Sequence, residues 1–378
     1  PVKKILSPSV FHDQRSGLQN SYHRFVNEKK GRVAFMGGSI TEGKGWRDLV
    51  CQYLKEKFPN TEFEFINAGI SSTGSTPGAF RLENEVLSKG SIDLFFEEAA
   101  VNDRTNGFNN IAQIRGMEGI IRHMRQTNPM ADIIMMHCVD PEKIEEYKIG
   151  KVPSEIQNHE RVAQHYQVNT IHLAREVEQR IAAGEFTWKE DFRDLHPSPF
   201  GQQVYARTIT SFLDRQFEMA KDNSPQAHPI PAILDPFSYA NGDYAEISKA
   251  RLTKGWRLEE KWNPTDGVGK RKQYVNMPAL IAETPGSKIE FEFSGTAVGI
   301  CIASRPDARK IAYSIDGKPY QTADLYTQWS HFIHLPWYIM LDDELKKKKH
   351  KLIIVMSREK NDKSKGNACR ILHFLVNQ

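Results

Sequence analysis

The stretch FMGGSITEGKGW, residues 35–46, sets a serine and a lysine in one glycine-rich turn, two residue types that can make such a turn chemically active. Gly38, four residues, then Gly43 and Lys44 come close to a phosphate-cradling loop, in which backbone N–H groups hold an anion and lysine neutralises it. Ser39 in the same turn can instead serve as a nucleophile at the end of a strand. A phosphate loop needs Ser or Thr after its lysine to hold magnesium, and here Gly45 follows Lys44. The acidic residues that end later apolar runs, Glu97, Glu98 and Asp140, would have to hold the metal in its place.

The nucleophile reading makes its own demand: later loops must bring a base, and donors for a tetrahedral oxyanion. Three loops offer them. NAGISSTGS (67–75) is a tight polar turn whose backbone N–H groups can line a crevice. AAVNDRTNG (99–107) offers the Asn102 side-chain amide, with Asp103 expected to cap the helix that follows. DFRDLHPSPFG (191–201) carries His196 as the candidate base.

In order and content these motifs resemble the SGNH hydrolases, also called GDSL-like esterases and acylhydrolases, over about residues 30–215. GGSIT matches the nucleophile block, NAGISSTG the oxyanion-glycine block, VND the asparagine block and LHP the histidine block. The resemblance implies a flavodoxin-like fold and metal-free catalysis without a cofactor. Ser39 would attack an ester carbonyl, its own N–H forming part of the oxyanion hole with Ser72 N–H and the Asn102 amide, and His196 would shuttle the proton.

Three positions depart from the family pattern. Gly38 stands where an Asp is usual. Ser72 stands where a glycine is usual, with Gly74 as the fallback donor, so the Ser72 backbone must reach the required angles. Arg193 stands three before the histidine, where the orienting Asp is usual. That leaves Asp194 as the first choice for the third member, Asp191 as the alternative, and a Ser-His dyad leaning on a carbonyl as a further possibility.

Segments up to about residue 220 alternate strand and helix patterns, as in an α/β doubly wound parallel sheet. Residues 32–36, 63–66, 92–96 and 133–139 read as strands. Trp46, Leu49, Val50, Tyr53, Leu54 and Phe58 form one helical stripe. Ala163, Tyr166, Ile171, Ala174, Val177 and Ile181 predict a single long helix over 154–182. A last helix begins at Ser198-Pro199, an N-cap followed by a proline in the first turn. His165 and His172 then fall on one face of the long helix, ~10 Å apart along its axis, too far to share a metal. His137, ending an apolar run, reads as a crevice residue or a satisfied core histidine; no metal site is expected.

Residues 223–238, with Pro225, Pro229, Pro231 and Pro236, read as a stiff connector between an α/β domain over 1–222 and a domain over 239–378. Beyond it the patterns shorten and alternate: SKIEFEFSGTAVGICIAS, KIAYSIDGKPYQT with an Asp316-Gly317 hairpin turn, and HKLIIVMS. This predicts an all-β sandwich, jelly-roll-like. Trp329, Trp337 and Tyr338 are expected in core or interdomain contacts, and Lys346–Lys349 in a solvated turn or edge. Cys51, Cys138, Cys301 and Cys369 show no zinc or dense disulfide spacing and read as buried free thiols, a Cys301–Cys369 pair being the alternative.

With 39% hydrophobic and 26% charged residues and a net charge of +4, the composition is that of a globular protein and not of a strong nucleic-acid binder. No apolar run approaches the ~20 residues that span a bilayer. The chain opens with Pro1, Lys3 and Lys4 in place of a signal peptide. The expected setting is periplasmic or extracellular after removal of an export signal, with the cytoplasm as the alternative. The motif set predicts a serine esterase, and the resemblance to SGNH hydrolases joined to β-sandwich modules implies that it removes acetyl groups from a carbohydrate. A lysophospholipase or thioesterase, and an inactive glycan-binding module, are the alternatives.

Overall fold

The computed structural model describes residues 6–378, so Pro1, Lys3 and Lys4 lie outside the described residues. The chain divides into two compact units, Pro1–Ala240 and Asn241–Gln378. In the first, six strands among the described residues form one sheet: β1 (His12–Asp13), β2 (Lys30–Gly37), β3 (Glu62–Gly69), β4 (Leu94–Glu98), β5 (Asp132–Met136) and β6 (Asn169–Ile171), in the order β1-β6-β5-β4-β2-β3. All neighbours run parallel except β1 on β6. Helices α1 (Gln19–Asn27), α2 (Ser39–Glu42), α3 (Trp46–Lys57), α4 (Ser75–Glu85), α5 (Ala100–Thr105), α6 (Asn110–Thr127), α7 (Pro141–Lys148), α8 (Ser154–Tyr166), α9 (Leu173–Ala182) and α10 (Pro199–Ala220) connect and cover the strands.

Every residue of β4 and β5 is buried, which explains the apolar runs 94–96 and 133–136 within them: helices cover both faces. On one face Phe35 of β2 stacks on Phe96 of β4 at 5.0 Å, and Trp46 of α3 meets Phe35 edge-on at 5.7 Å. The expected stripe on α3 buries Trp46, Val50 and Leu54. Ser198 caps α10 by accepting from Gly201 N–H, with Pro199 at the first helical position.

The long helix expected over 154–182 is two helices with a strand between them. Gln167 adopts a left-handed conformation (φ 52°) that ends α8; Asn169–Ile171 then pairs with β5 and β1 before α9 begins. Tyr166, Ile171, Ala174, Val177 and Ile181 keep three- to five-residue spacing across the break, so periodicity alone hides it. His172 consequently precedes α9 and does not share a helix face with His165.

The proline-rich stretch lies along the first unit. His228 Nε2 meets Asp132 Oδ1 at 2.8 Å, Arg125 and Arg122 donate to the carbonyls of Pro229 and Pro231, and Glu118 accepts from Leu234 N–H at 2.5 Å and Asp235 N–H at 2.8 Å. Proline supplies acceptors but no donor, so the arginines satisfy carbonyls that cannot join a ladder.

The second unit packs two antiparallel sheets. One contains β7 (Gly242–Ala245), β9 (Trp256–Trp262), β10 (Gly269–Lys270), β11 (Met277–Ala282), β13 (Ala297–Ser304), β16 (Ile333–Asp342) and β18 (Cys369–Asn377), with β10 joining its neighbour in parallel. The other contains β8 (Arg251–Leu252), β12 (Lys288–Gly295), β14 (Lys310–Ile315), β15 (Gln321–Asp324) and β17 (Lys348–Met356). Their inner faces share a core in which Phe291 of β12 stacks on Phe374 of β18 at 3.9 Å. Asp316-Gly317 makes the expected hairpin turn, both residues at positive φ. Tyr338 is buried, its hydroxyl 2.7 Å from that of Tyr274. All four cysteines are free; burial pushes the Cys51 thiol up to about 11 and that of Cys369 to about 12.

Candidate active site

Strand β2 ends in Gly37 and Gly38, and Ser39 opens the single turn α2, where a helix leaves its first N–H groups without intrahelical partners. Ser39 Oγ lies 2.7 Å from His196 Nε2, across 157 residues of sequence. The histidine is carried on a tight loop between the π turn Trp188–Phe192 and α10. Phe192 O accepts from both Asp194 N–H (3.1 Å) and Ser198 N–H (3.0 Å), and Arg193 takes a φ of 78° to close the loop.

The two acidic candidates part ways. Asp194 Oδ1 accepts from His196 N–H at 3.1 Å and stands 3.6 Å from His196 Nδ1, just beyond a hydrogen bond. Asp191 faces away: its Oδ2 accepts from Thr187 N–H (2.8 Å) and Thr187 Oγ1 (3.1 Å), fixing the start of the π turn.

Asn102, on α5, lies directly against the nucleophile loop. A Cβ added at Gly38 would overlap Asn102 Oδ1 and lie 3.4 Å from Thr73 O, so a side chain here would require Asn102 to move. Ser72 has φ 71°, the left-handed conformation that glycine adopts without strain, so the backbone at this position has the kind of angle that a glycine supplies. Its carbonyl accepts from Asn106 Nδ2 at 3.0 Å.

Behind these groups lie further buried side chains, of which sequence patterns did not single out Arg81 or Lys143. Arg81, 1% exposed, donates to Ala68 O (2.5 Å), Gly37 O (3.0 Å) and Thr73 Oγ1 (3.2 Å), tying the ends of β2 and β3 to the Ser72 loop. Its position on an amphipathic helix offered no signal of this. Asp103 does not cap a following helix: it lies within α5 and its carboxylate caps the first turn of α4. Lys143, wholly buried, pairs with Asp140 (2.5 Å) and Glu155 (2.8 Å). Glu97 and Glu98 are buried at the end of β4; burial raises Glu97 well above the carboxylate range and Glu98 to about 7.

His137 belongs to a polar cluster with Glu160 and His172, a group with metal-ligand spacing among the described residues. Each of the three already holds a partner: His137 Nε2 meets Glu160 Oε1 at 2.8 Å, His172 Nε2 meets Asp13 Oδ2 at 2.8 Å, and the Arg15 guanidinium bridges Asp13 and Glu160. Burial lowers the His137 imidazole to about 4, so it is neutral. The cluster is an ion-pair network that pins the β1 strand to β6 and α8.

Residues 35–204, which carry all four blocks, match the GDSL-like lipase/acylhydrolase family. The α/β unit belongs to this family. The chain is therefore an ester-bond hydrolase with the SGNH hydrolase fold, followed by a β-sandwich. No curated protein sequence matches it. Among solved structures, a two-domain esterase (CEX) active on acetylated mannans has the same two-part architecture. It is 21% identical with a TM-score of 0.77 over 99% of this chain and 98% of that one when co-crystallised with mannopentaose. In the absence of that sugar it gives the same identity and TM-score over 99% of each chain. At that identity the likeness is one of fold. Among the described residues, no helix of this hydrolase is long and apolar enough to cross a membrane.

Proposed function

We propose that this hydrolase is a carbohydrate esterase that removes acetyl groups by a Ser-His acyl-enzyme mechanism, with Asp194 orienting the histidine. The observation that carries the reading is the 2.7 Å contact between Ser39 Oγ and His196 Nε2 beside an asparagine packed on Gly38. Ser39 Oγ attacks the acetyl carbonyl carbon while its proton passes to His196 Nε2. The tetrahedral oxyanion is received by Ser39 N–H, Ser72 N–H and Asn102 Nδ2. Collapse breaks the bond to the sugar oxygen, which takes the proton from Nε2. A water then gives its proton to His196 Nε2 as it attacks the acyl-serine, and collapse of that second tetrahedral intermediate breaks the acyl–Oγ bond, returns the proton from Nε2 to Ser39 Oγ and releases acetate.

The carbohydrate assignment rests on family likeness and on shared architecture with the acetylated-mannan esterase, which is 21% identical. On this reading the enzyme acts where polymeric glycans are met, outside the cytoplasm. The test is acetate release from acetylated mannan, acetylated xylan and a long-chain acyl ester, with Ser39→Ala as control. Release from a glycan, lost ~10³-fold or more in the variant, supports the proposal. Turnover confined to the long-chain ester reassigns the enzyme to lipid chemistry, and no turnover by either protein while affinity for oligosaccharide persists makes the chain a glycan-binding module.

A further inference from the structure

The loops carrying Ser72 and Asn102 are far apart in sequence, and α5 is too short to hold its own geometry, since isolated helices of one or two turns are marginal. One carboxylate joins them from behind. Asp103, 0% exposed, accepts from Ser75 N–H at 2.7 Å through Oδ1. Through Oδ2 it accepts from Ser75 Oγ at 2.6 Å and meets His159 Nε2 at 2.8 Å. Ser75 begins α4, three residues after Ser72; Asp103 directly follows Asn102. A Cβ at Gly74 would overlap Asp103 Oδ1, so glycine is what admits the carboxylate between the two loops. One turn further along α5, Asn106 Nδ2 closes a second tie, to Ser72 O.

The clamp has the chemistry of a strong contact. A carboxylate on the first N–H of a helix meets both an orphan donor and the positive end of the helix dipole. Charge-assisted bonds of this length are roughly twice as strong as neutral ones. His159, on α8 and also 0% exposed, has Asp103 as its hydrogen-bond partner, its Nδ1 closing no bond, so the ring fixes the carboxylate rotamer from the far side.

We infer that Asp103, held by His159, is a positioning residue that sets the separation of the two oxyanion donors, Ser72 N–H and Asn102 Nδ2. The inference rests on the proposed roles of Ser39, Ser72 and Asn102. Asp103 touches no reacting atom; it acts through the residues on either side of the hole. A donor displaced by about 1 Å from the oxyanion position costs on the order of 10² in rate, and the cost falls on the transition state, not on substrate binding.

The test is a double-mutant cycle on an activated acetyl ester, read as kcat and KM separately. Asp103→Ala is expected to lower kcat ~10²-fold with KM within ~3-fold of wild type, and Asn102→Ala to lower kcat ~10²-fold or more. Because the two act through one hole, the double variant should fall no more than ~10-fold below the worse single variant. Costs that multiply to ~10⁴ overturn the inference, as does a change confined to KM. Ser75→Ala, which keeps the backbone bond and removes one of the three partners, covers the case in which Asp103→Ala does not fold. A kcat drop of ~3- to 10-fold at unchanged KM supports the clamp, and no drop overturns it. Wild-type protein without esterase activity sinks the functional reading itself, an outcome distinct from multiplying costs in an active enzyme.

Discussion

Asp194 Oδ1 is bonded to the backbone N–H of His196 at 3.1 Å and stands 3.6 Å from the ring Nδ1, so one oxygen holds the histidine loop and faces the imidazole at the same time. The pair is open to solvent, with 57% of the His196 side chain and 63% of the Asp194 side chain exposed, and exposed ion pairs are weak. Asp194→Ala should therefore lower kcat by ~10- to 10²-fold, well short of Ser39→Ala. Steady-state kinetics on an activated acetyl ester measure it; a loss equal to that of Ser39→Ala makes Asp194 a full triad member.

Asp191→Ala removes the acceptor for Thr187 N–H and Thr187 Oγ1. Loss of such a cap typically costs about 1 kcal/mol. A lowered thermal midpoint with kcat within ~3-fold is expected. If Asp191→Ala loses more activity than Asp194→Ala, the orienting role passes to Asp191.

Gly38→Ala sets a methyl group where Asn102 Oδ1 now lies. Asn102 Oδ1 is the atom nearest the added methyl, so the substitution is expected to act by displacing the Asn102 side chain. A kcat loss of ~10²-fold with the thermal midpoint nearly unchanged is the expected result, and near-wild-type kcat would show that Asn102 is not needed at this spot.

Ser72 holds a φ of 71°, which costs an L-residue about 1 kcal/mol and glycine nothing. Ser72→Gly should keep kcat within ~3-fold, because the proposed donor is the backbone N–H, and raise stability by up to about 1 kcal/mol. Ser72→Val, β-branched at positive φ, should lower both. Loss of activity in the glycine variant would move the function to the Ser72 hydroxyl.

Glu98 is buried, neither of its carboxyl oxygens closes a full hydrogen bond, and burial lifts it to about 7 against the pull of Lys143, His159 and the N–H groups of Gly38 and Val101. The folded state then keeps a proton that the unfolded chain has released above its ordinary carboxylate range. Stability falls as pH rises from about 4.5 to 7, and the penalty persists above that. At 1.36 kcal/mol per pKa unit the full effect is roughly 3 kcal/mol. Glu98→Gln should flatten the thermal midpoint between pH 5 and pH 8, measured by calorimetry. An unchanged slope would place the ionisation elsewhere.

The parallel sheet was legible because residues buried on both faces must be continuously apolar, as in Phe95, Phe96 and Ile133–Met136, and because Ser198-Pro199 is a local helix start whose chemistry needs no distant partner. The short strand Asn169–Ile171 was not. Its residues are stabilised by pairing with β5 and with His12 and Asp13, contacts that leave no local period.

For the site, the order of GGSIT, NAGISSTG, VND and LHP by itself determined the chemistry on offer, since motif residues are chosen one position at a time by what their own atoms must do. Asp103, His159 and Arg81 escaped that reading because each works by reaching a loop remote in sequence. Only the tertiary structure decided that Asp103 binds Ser75 and does not cap a following helix, that Asp191 serves Thr187, and that Asn102 packs against Gly38. Those choices turn on distances of a few ångströms between segments dozens of residues apart, and such distances exist only once the chain has folded.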